Sequence, residues 1–198
     1  MASGKDNQEL RRKRRRRRIQ IIVIYTAIAI GLAWFFESQA TTTVIFVRHA
    51  DKAVSADSDP PLSAAGERRV AELTRQLLYA DVIQGVDAIY ATPYRRSQLT
   101  VQPLADALDL PINTYDASDT EGVLETILRR HKGKVILVVG HSNTVPKLMY
   151  DLGASKRVPP MAAVEYDYIS VVAIPWFGKT KTIRLRYGEP YIPPAVAE

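Results

Sequence analysis

The chain has 198 residues, enough for one domain of ordinary size with a sizeable core plus an appendage. Its net charge of +6 arises wholly in the first 40 residues, where nine Lys/Arg face three acids; the remainder carries 18 bases and 18 acids, so the pI makes no case for a nucleic-acid partner. There is no cysteine, which excludes a structural disulfide, a Cys-ligated zinc and a cysteine nucleophile.

Residues 1–18 form a basic tail containing Arg11, Arg12, Lys13 and Arg14 to Arg18. Ile19 to Phe36 follows, 18 residues without a charge, which as a helix spans about 27 Å and just crosses a bilayer. A core helix is disfavoured because the segment is apolar all round and closes on Trp34-Phe35-Phe36, like an interfacial aromatic belt. The positive-inside rule keeps the tail in the cytoplasm, so the segment reads as a single-pass signal anchor whose domain lies in the periplasm or outside the cell. Ser38-Gln39-Ala40 offers small residues to a signal peptidase, making a form secreted after cleavage at Ala40 the alternative. The apolar stretch is longer than the roughly 7–15 residues of a signal-peptide core.

After a linker at 37–41, residues 42–190 alternate strand-like and helix-like segments. That pattern predicts a three-layer wound α/β domain with a largely parallel sheet, helices on both faces and a C-terminal hairpin. Val44 to Val47 read as a buried strand, followed by a polar loop from Asp51 to Ser63. Ser63 caps a helix over Ala64 to Leu78, whose Val70, Leu73, Leu77 and Leu78 share a face. A strand over Asp87 to Ala91 precedes a helix opened by Thr92-Pro93 and running to Leu108. Pro111 to Tyr115 is a third strand and Glu121 to His131 a third helix, with Val123, Leu124, Ile127 and Leu128 apolar. The run 134–139 is a buried strand, and Asn143 to Leu152 a helix that tolerates Pro146 in its first turn. Ser170 to Ile174 and Thr180 to Tyr187 form the hairpin, on which Tyr166, Tyr168 and Trp176 are expected to pack; residues 191–198 are an irregular tail.

Two buried strands end in histidine, at Arg48-His49 and at Gly140-His141-Ser142-Asn143. In open α/β sheets ligands bind at that edge. Phosphoryl transfer to an imidazole needs a neutral nucleophile, cations on the non-bridging oxygens and an acid for the leaving alcohol. His49 supplies the nucleophile and Arg48 a clamp. Arg95 and Arg96 begin a helix about 100° apart, so one of them faces the pocket. His141 is a second cationic donor, and the amides of Ser142 and Asn143 open another helix at the same edge.

These motifs resemble the histidine phosphatase superfamily, in its phosphoglycerate-mutase-like branch. Arg48-His49-Ala50 matches its signature, Pro61-Leu62-Ser63 with Gly66 its first helix start, Thr92-Pro93-Tyr94-Arg95-Arg96-Ser97-Gln98-Leu99-Thr100 its arginine segment, and Val139-Gly140-His141-Ser142-Asn143 its Gly-His block. Four motifs in order over residues 42–152 are specific. The resemblance implies a phosphohistidine at His49, a phosphoryl group held by Arg48, Arg96 and His141, and no metal or cofactor. It selects Arg96 over Arg95, and places the proton donor among Asp116, Asp119 and Glu121, with Glu121 first and Asp119 as alternative. The expected activity is a phosphomonoesterase acting on a phosphorylated small molecule or phosphoprotein. A mutase is less favoured because Ala50-Asp51-Lys52-Ala53 departs from the mutases' Gly-Glu-Ser-like continuation; a catalytically weak phosphate-binding module is the reading from another class.

Overall fold

The structure, a computed structural model, describes residues 3–38, 41–80, 85–154 and 158–192. The chain divides into two compact units at the Ala40–Thr41 junction.

The first unit is one helix, α1 (Ser3–Ser38), so the basic tail is helical and helix continues into the first half of the expected linker. The linker's residues 39 and 40 and the tail's residues 193–198 lie outside the described residues. Within α1, Arg11–Phe36 is long and apolar enough to cross a membrane. Its large apolar side chains are exposed, from Ile21 at 45% to Trp34 at 72%.

The second unit is a six-stranded sheet in the order β3-β2-β4-β1-β5-β6. Its elements are β1 (Thr41–Arg48), α2 (Ala64–Tyr79), β2 (Ala88–Ala91), α3 (Arg95–Leu108), β3 (Ile112–Thr114), α4 (Thr120–Arg130), β4 (Val135–Gly140), α5 (Thr144–Asp151), β5 (Tyr168–Pro175) and β6 (Lys181–Arg186). β3, β2, β4 and β1 run parallel, whereas β5 returns antiparallel to β1 and β6 completes the hairpin at the edge.

Period-two alternation divides the strand residues between two cores. Val44, Phe46, Ile136 and Val138 pack with Val123, Ile127, Val145 and Leu148 from α4 and α5. Ile45, Val47, Leu137 and Val139 pack with Leu73, Leu77, Val101 and Leu104 from α2 and α3. Both faces are covered, which is why these strands read as continuous apolar runs. Leu78 and Leu128 depart from their expected buried faces, at 42% and 36% exposed, because each lies one position beyond the stripe that meets the sheet.

Two glycines bring helices onto strand ends. A Cβ at Gly140 would lie 2.7 Å from Thr144 Oγ1, so α5 can turn directly off β4 only without one. At Gly66 a Cβ would strike the Asp51 carbonyl. That approach is fixed by Ser63, whose amide and hydroxyl both donate to Asp51 O (2.9 and 3.2 Å) while its Oγ accepts from Gly66 N (3.1 Å). The ends of the 51–63 loop are thereby tied together.

Candidate active site

β1 and β4 are neighbours in parallel register, with Arg48 opposite Gly140. The residue after each, His49 and His141, therefore emerges at the same edge, and the His49 amide donates to Gly140 O at 3.0 Å. The two rings lie 5.2 Å apart. β2 pairs Ala91 with Val139 on the other side of β4, which delivers Thr92 to the same edge.

His49 is 4% exposed. Its Nδ1 lies 2.8 Å from the carbonyl of Ala50, an acceptor only, so Nδ1 carries the proton and Nε2 keeps its lone pair. Burial, then the charges of Arg48, His141 and Arg96, lower the His49 pKa to about 3 despite the opposing hydrogen bond to Ala50. His141 is lowered to about 4, by burial first and then by Arg96 and Arg48. Its Nε2 is 3.0 Å from Thr92 Oγ1, which itself donates to Ser97 Oγ at 2.7 Å. His141 Nε2 is thus the donor to Thr92, and Nδ1 takes a proton when the ring charges. At neutral pH both imidazoles are neutral beside two guanidinium ions.

The arginines are held by their Nη atoms. Arg48 Nη1 donates to the carbonyls of Ala162 (2.8 Å) and Glu165 (2.9 Å), and Nη2 to that of Ala163 (2.8 Å). Its Cζ sits 4.0 Å from the centroid of the Tyr166 ring. Arg96 Nη1 contacts Asp59 Oδ1 at 3.3 Å, and its Cζ lies 4.4 Å over Tyr94. In both arginines Nε is buried and has no partner among the described residues. Buried N–H groups of that kind are rare. They are suited to the oxygens of an anion placed beside His49, and burial first, with the charge of Arg96, lowers the Arg48 pKa against the pull of Tyr166, Asp51 and Glu165.

The expected start of α3 is corrected. The helix begins at Arg95, with Tyr94 rather than Thr92 as its N-cap residue. Its first amide is satisfied from a distance, because Arg95 N donates to both carboxylate oxygens of Asp59 (3.1 and 3.0 Å). Arg95 points out to Asp57 at 3.8 Å while Arg96 is buried to 15% exposure, so Arg96 faces inward. Thr100 Oγ1 accepts from Ala50 N at 2.9 Å and so fixes the backbone beyond His49.

Among the described residues, Glu121 and Asp119 make no contact with this cluster. Asp119 caps α4 by accepting from Gly122 N at 2.9 Å, and Glu121 is an exposed first-turn acid. Asp116 accepts from the amide and hydroxyl of Ser118. Ser142 is half-buried and Asn143 is the exposed N-cap residue of α5, without a side-chain capping bond. No group of three or more Asp, Glu or His suited to a metal occurs among the described residues.

Tyr166 does not pack on the hairpin as expected but lies 5.6 Å from the His49 ring and under Arg48. The reason is topological: an antiparallel β5 begins where β1 ends, with Val47 opposite Ile169. Asp51 pairs with Arg69 at 2.6 Å. Beside the cluster, a cleft of about 610 Å³ is bounded by Lys52, Ser55, Arg96, Val164 and Tyr166, which gives a substrate room next to the arginines.

The sequence profile of the histidine phosphatase superfamily (branch 1) matches residues 44–119. No curated protein matches the sequence. Among solved structures the chain is similar to the protein histidine phosphatase SixA complexed with tungstate, at 22% identity and a TM-score of 0.60, over 73% of this chain and 96% of that one. It is also similar to the mycobacterial glucosyl-3-phosphoglycerate phosphatase, at 10% identity and TM-score 0.55, covering 67% and 90% of the two chains. A third likeness is to YhfR of Bacillus stearothermophilus, at 15% identity and TM-score 0.53, over 66% and 90%.

Proposed function

We propose that the chain is a member of the histidine phosphatase superfamily (branch 1), whose profile matches residues 44–119, and that its folded unit is a phosphatase that passes a phosphoryl group through His49 to water. The observation that carries the reading is the pairing of a neutral His49, its tautomer set by Ala50, with two arginines whose buried Nε–H groups have no partner among the described residues.

In this reading the Nε2 lone pair of His49 attacks phosphorus, the bond to the leaving group breaks, and Arg48 and Arg96 take up the charge spread over the non-bridging oxygens. His141 acquires a proton at Nδ1 as the anion arrives and donates it to a phosphoryl oxygen. The amides of Ser142 and Asn143 add dipoles at the start of α5. Water then attacks the phosphohistidine, phosphate leaves, and His49 regains its lone pair.

Glu121 is the proton donor of first choice for an alcohol leaving group, since Asp119 is engaged as a helix cap. Their separation from the cluster favours leaving groups that need no acid. Neutral imidazole, departing from a phosphoryl-imidazole whose second nitrogen is protonated, is one, because its conjugate acid has a pKa of about 6.5 against about 15.7 for the conjugate acid of hydroxide. Phosphohistidine in a protein is therefore the favoured substrate class, in line with the activity that the name of SixA states for that protein. Residues 19–36 anchor the unit to a membrane, with the basic tail 1–18 in the cytoplasm, the phosphatase domain at 42–190 outside it, and residues 191–198 as a tail. That placement is supported by the exposed apolar surface of α1.

The test is turnover of p-nitrophenyl phosphate and of phosphohistidine by the full chain in detergent. Both should fall by at least about 10³ in His49→Ala, and undiminished turnover overturns the assignment. Phosphate binding without turnover in the parent chain means a binding module instead.

A further inference from the structure

We propose that Arg69, on α2 and outside the cleft, is a positioning residue for His49 that acts through Asp51; its effect on turnover rests on the phosphatase reading above. The His49 Nδ1–H donates to the carbonyl of Ala50, so the tautomer depends on the orientation of the Ala50–Asp51 peptide. That peptide is pinned from both sides. On the Ala50 side the amide donates to Thr100 Oγ1 at 2.9 Å, and Thr100 Oγ1 donates in turn to Arg96 O at 2.6 Å. On the Asp51 side the carbonyl accepts from the amide and hydroxyl of Ser63, and the carboxylate accepts from Arg69 Nε at 2.6 Å.

Arg69 is itself buried, at 8% exposure, and its guanidinium is engaged on every side. Beyond Asp51, Nη1 donates to the carbonyls of Tyr187 and Glu189 and Nη2 to that of Glu189, each at 3.1 Å. Those carbonyls belong to the segment that follows β6. The fully buried Asp167 holds that segment, since its carbonyl accepts from Tyr187 N and its Oδ2 from Tyr191 N, both at 2.9 Å. The fork therefore braces Asp51 against the end of the sheet's last strand and not against another part of the 51–63 loop. A planar group with five donors can hold one carboxylate and two carbonyls together, which a single ammonium cannot do with the same geometry. The cleft is lined from this region by Asp51, Lys52, Ser63, Ala65 and Arg96 but not by Arg69. Loss of Arg69 should therefore disturb the His49 ring while leaving the cations that face phosphate in place.

With only three histidines in the chain, the test can read His49 directly. The full chain in detergent, isotopically labelled in its histidine rings, is examined by nitrogen–proton correlation spectroscopy at neutral pH without substrate. The parent should show His49 as a single neutral ring protonated at Nδ1. In Arg69→Met the signal should become a mixture of the two tautomers, kcat for p-nitrophenyl phosphate should fall by about 10- to 100-fold, and tungstate affinity should hold. Arg69→Lys should recover part of both the turnover and the Nδ1–H form. Asp51→Ala, which leaves Arg69 on its carbonyls, is the second variant and should give the same mixture. A folded Arg69→Met or Asp51→Ala chain that keeps the single His49 pattern overturns the proposal whatever its turnover, as does a mixed pattern with kcat unchanged. A parent chain without turnover, whose His49 pattern still becomes mixed in Arg69→Met, overturns the phosphatase reading and leaves the positioning role standing.

Discussion

Replacing Arg48 by lysine keeps the charge but removes the planar fork. The guanidinium donates to three backbone carbonyls of the 162–165 segment at 2.8–2.9 Å and stacks 4.0 Å from Tyr166, in a residue only 6% exposed. A single ammonium on a flexible stem cannot reach all three acceptors with the same geometry. Losing one or two charged hydrogen bonds at roughly 1.5–3 kcal/mol each, with part recovered by water, amounts to about 2–4 kcal/mol of stability. For a domain of this size that lowers the thermal midpoint by about 5–15 °C. The buried Nε donor is lost as well, which should reduce kcat by about 10² for a site where donors face developing charge. Calorimetry in detergent and steady-state turnover read the two effects separately. A midpoint within about 2 °C of the parent together with kcat within about three-fold would refute the view that these carbonyls and Tyr166 hold Arg48 in place for phosphate.

The histidines predict the pH dependence of stability. Buried and neutral, with pKa values of about 3 and about 4, His49 and His141 bind fewer protons in the folded chain than in the unfolded one below about pH 6.5. Stability should therefore fall as pH drops from 6.5 toward 4, by roughly 2–3 kcal/mol between pH 6.5 and 5; a midpoint flat across that interval contradicts the assignment, and His141→Gln should halve the slope. An anion in the site raises both pKa values, so tungstate should bind more tightly at pH 5 than at pH 7, with proton uptake measurable by titration calorimetry in two buffers. Asp59 holds a negative charge against Arg96 and the start of α3 with its side chain 32% exposed. Asp59→Asn should tighten tungstate binding by about two- to five-fold, the scale of a partly exposed charge pair, whereas weaker binding would mean that Asp59 serves to position Arg96.

The parts of the site that the sequence reveals are those set by parallel strands. Arg48-His49 and Gly140-His141 each end an apolar run, and two buried strands in one parallel sheet must release their next residues at one edge. The alternating faces of Val44 to Val47 and Leu137 to Val139 likewise follow from period two. The contacts that escape such reading join residues far apart in sequence through loops. Asp59 reaches Arg95 and Arg96 across 36 and 37 positions, and it displaces Thr92 from the capping role that a Thr-Pro pair ordinarily takes. Thr92 is released to hold His141. The carbonyls of Ala162, Ala163 and Glu165 carry no side-chain signature at all. Tyr166 had one usable sign: a strand that returns antiparallel to β1 must begin at the edge where His49 emerges, so residues just before it adjoin that histidine. The boundaries of α2, α4 and α5 agree with the sequence to within one residue, and the side chains of Ser63 and Asp119 cap the first two of these helices.

The central claim is that His49 Nε2 carries the phosphoryl group. Rapid quenching of the full chain during turnover, followed by mass spectrometry under alkaline conditions, should find a base-stable, acid-labile phosphoryl group on the peptide containing His49, formed and lost at rates no slower than kcat and missing from His49→Ala. A chain that turns over at full rate with no phosphohistidine at that position, or with the group on His141, would contradict the account.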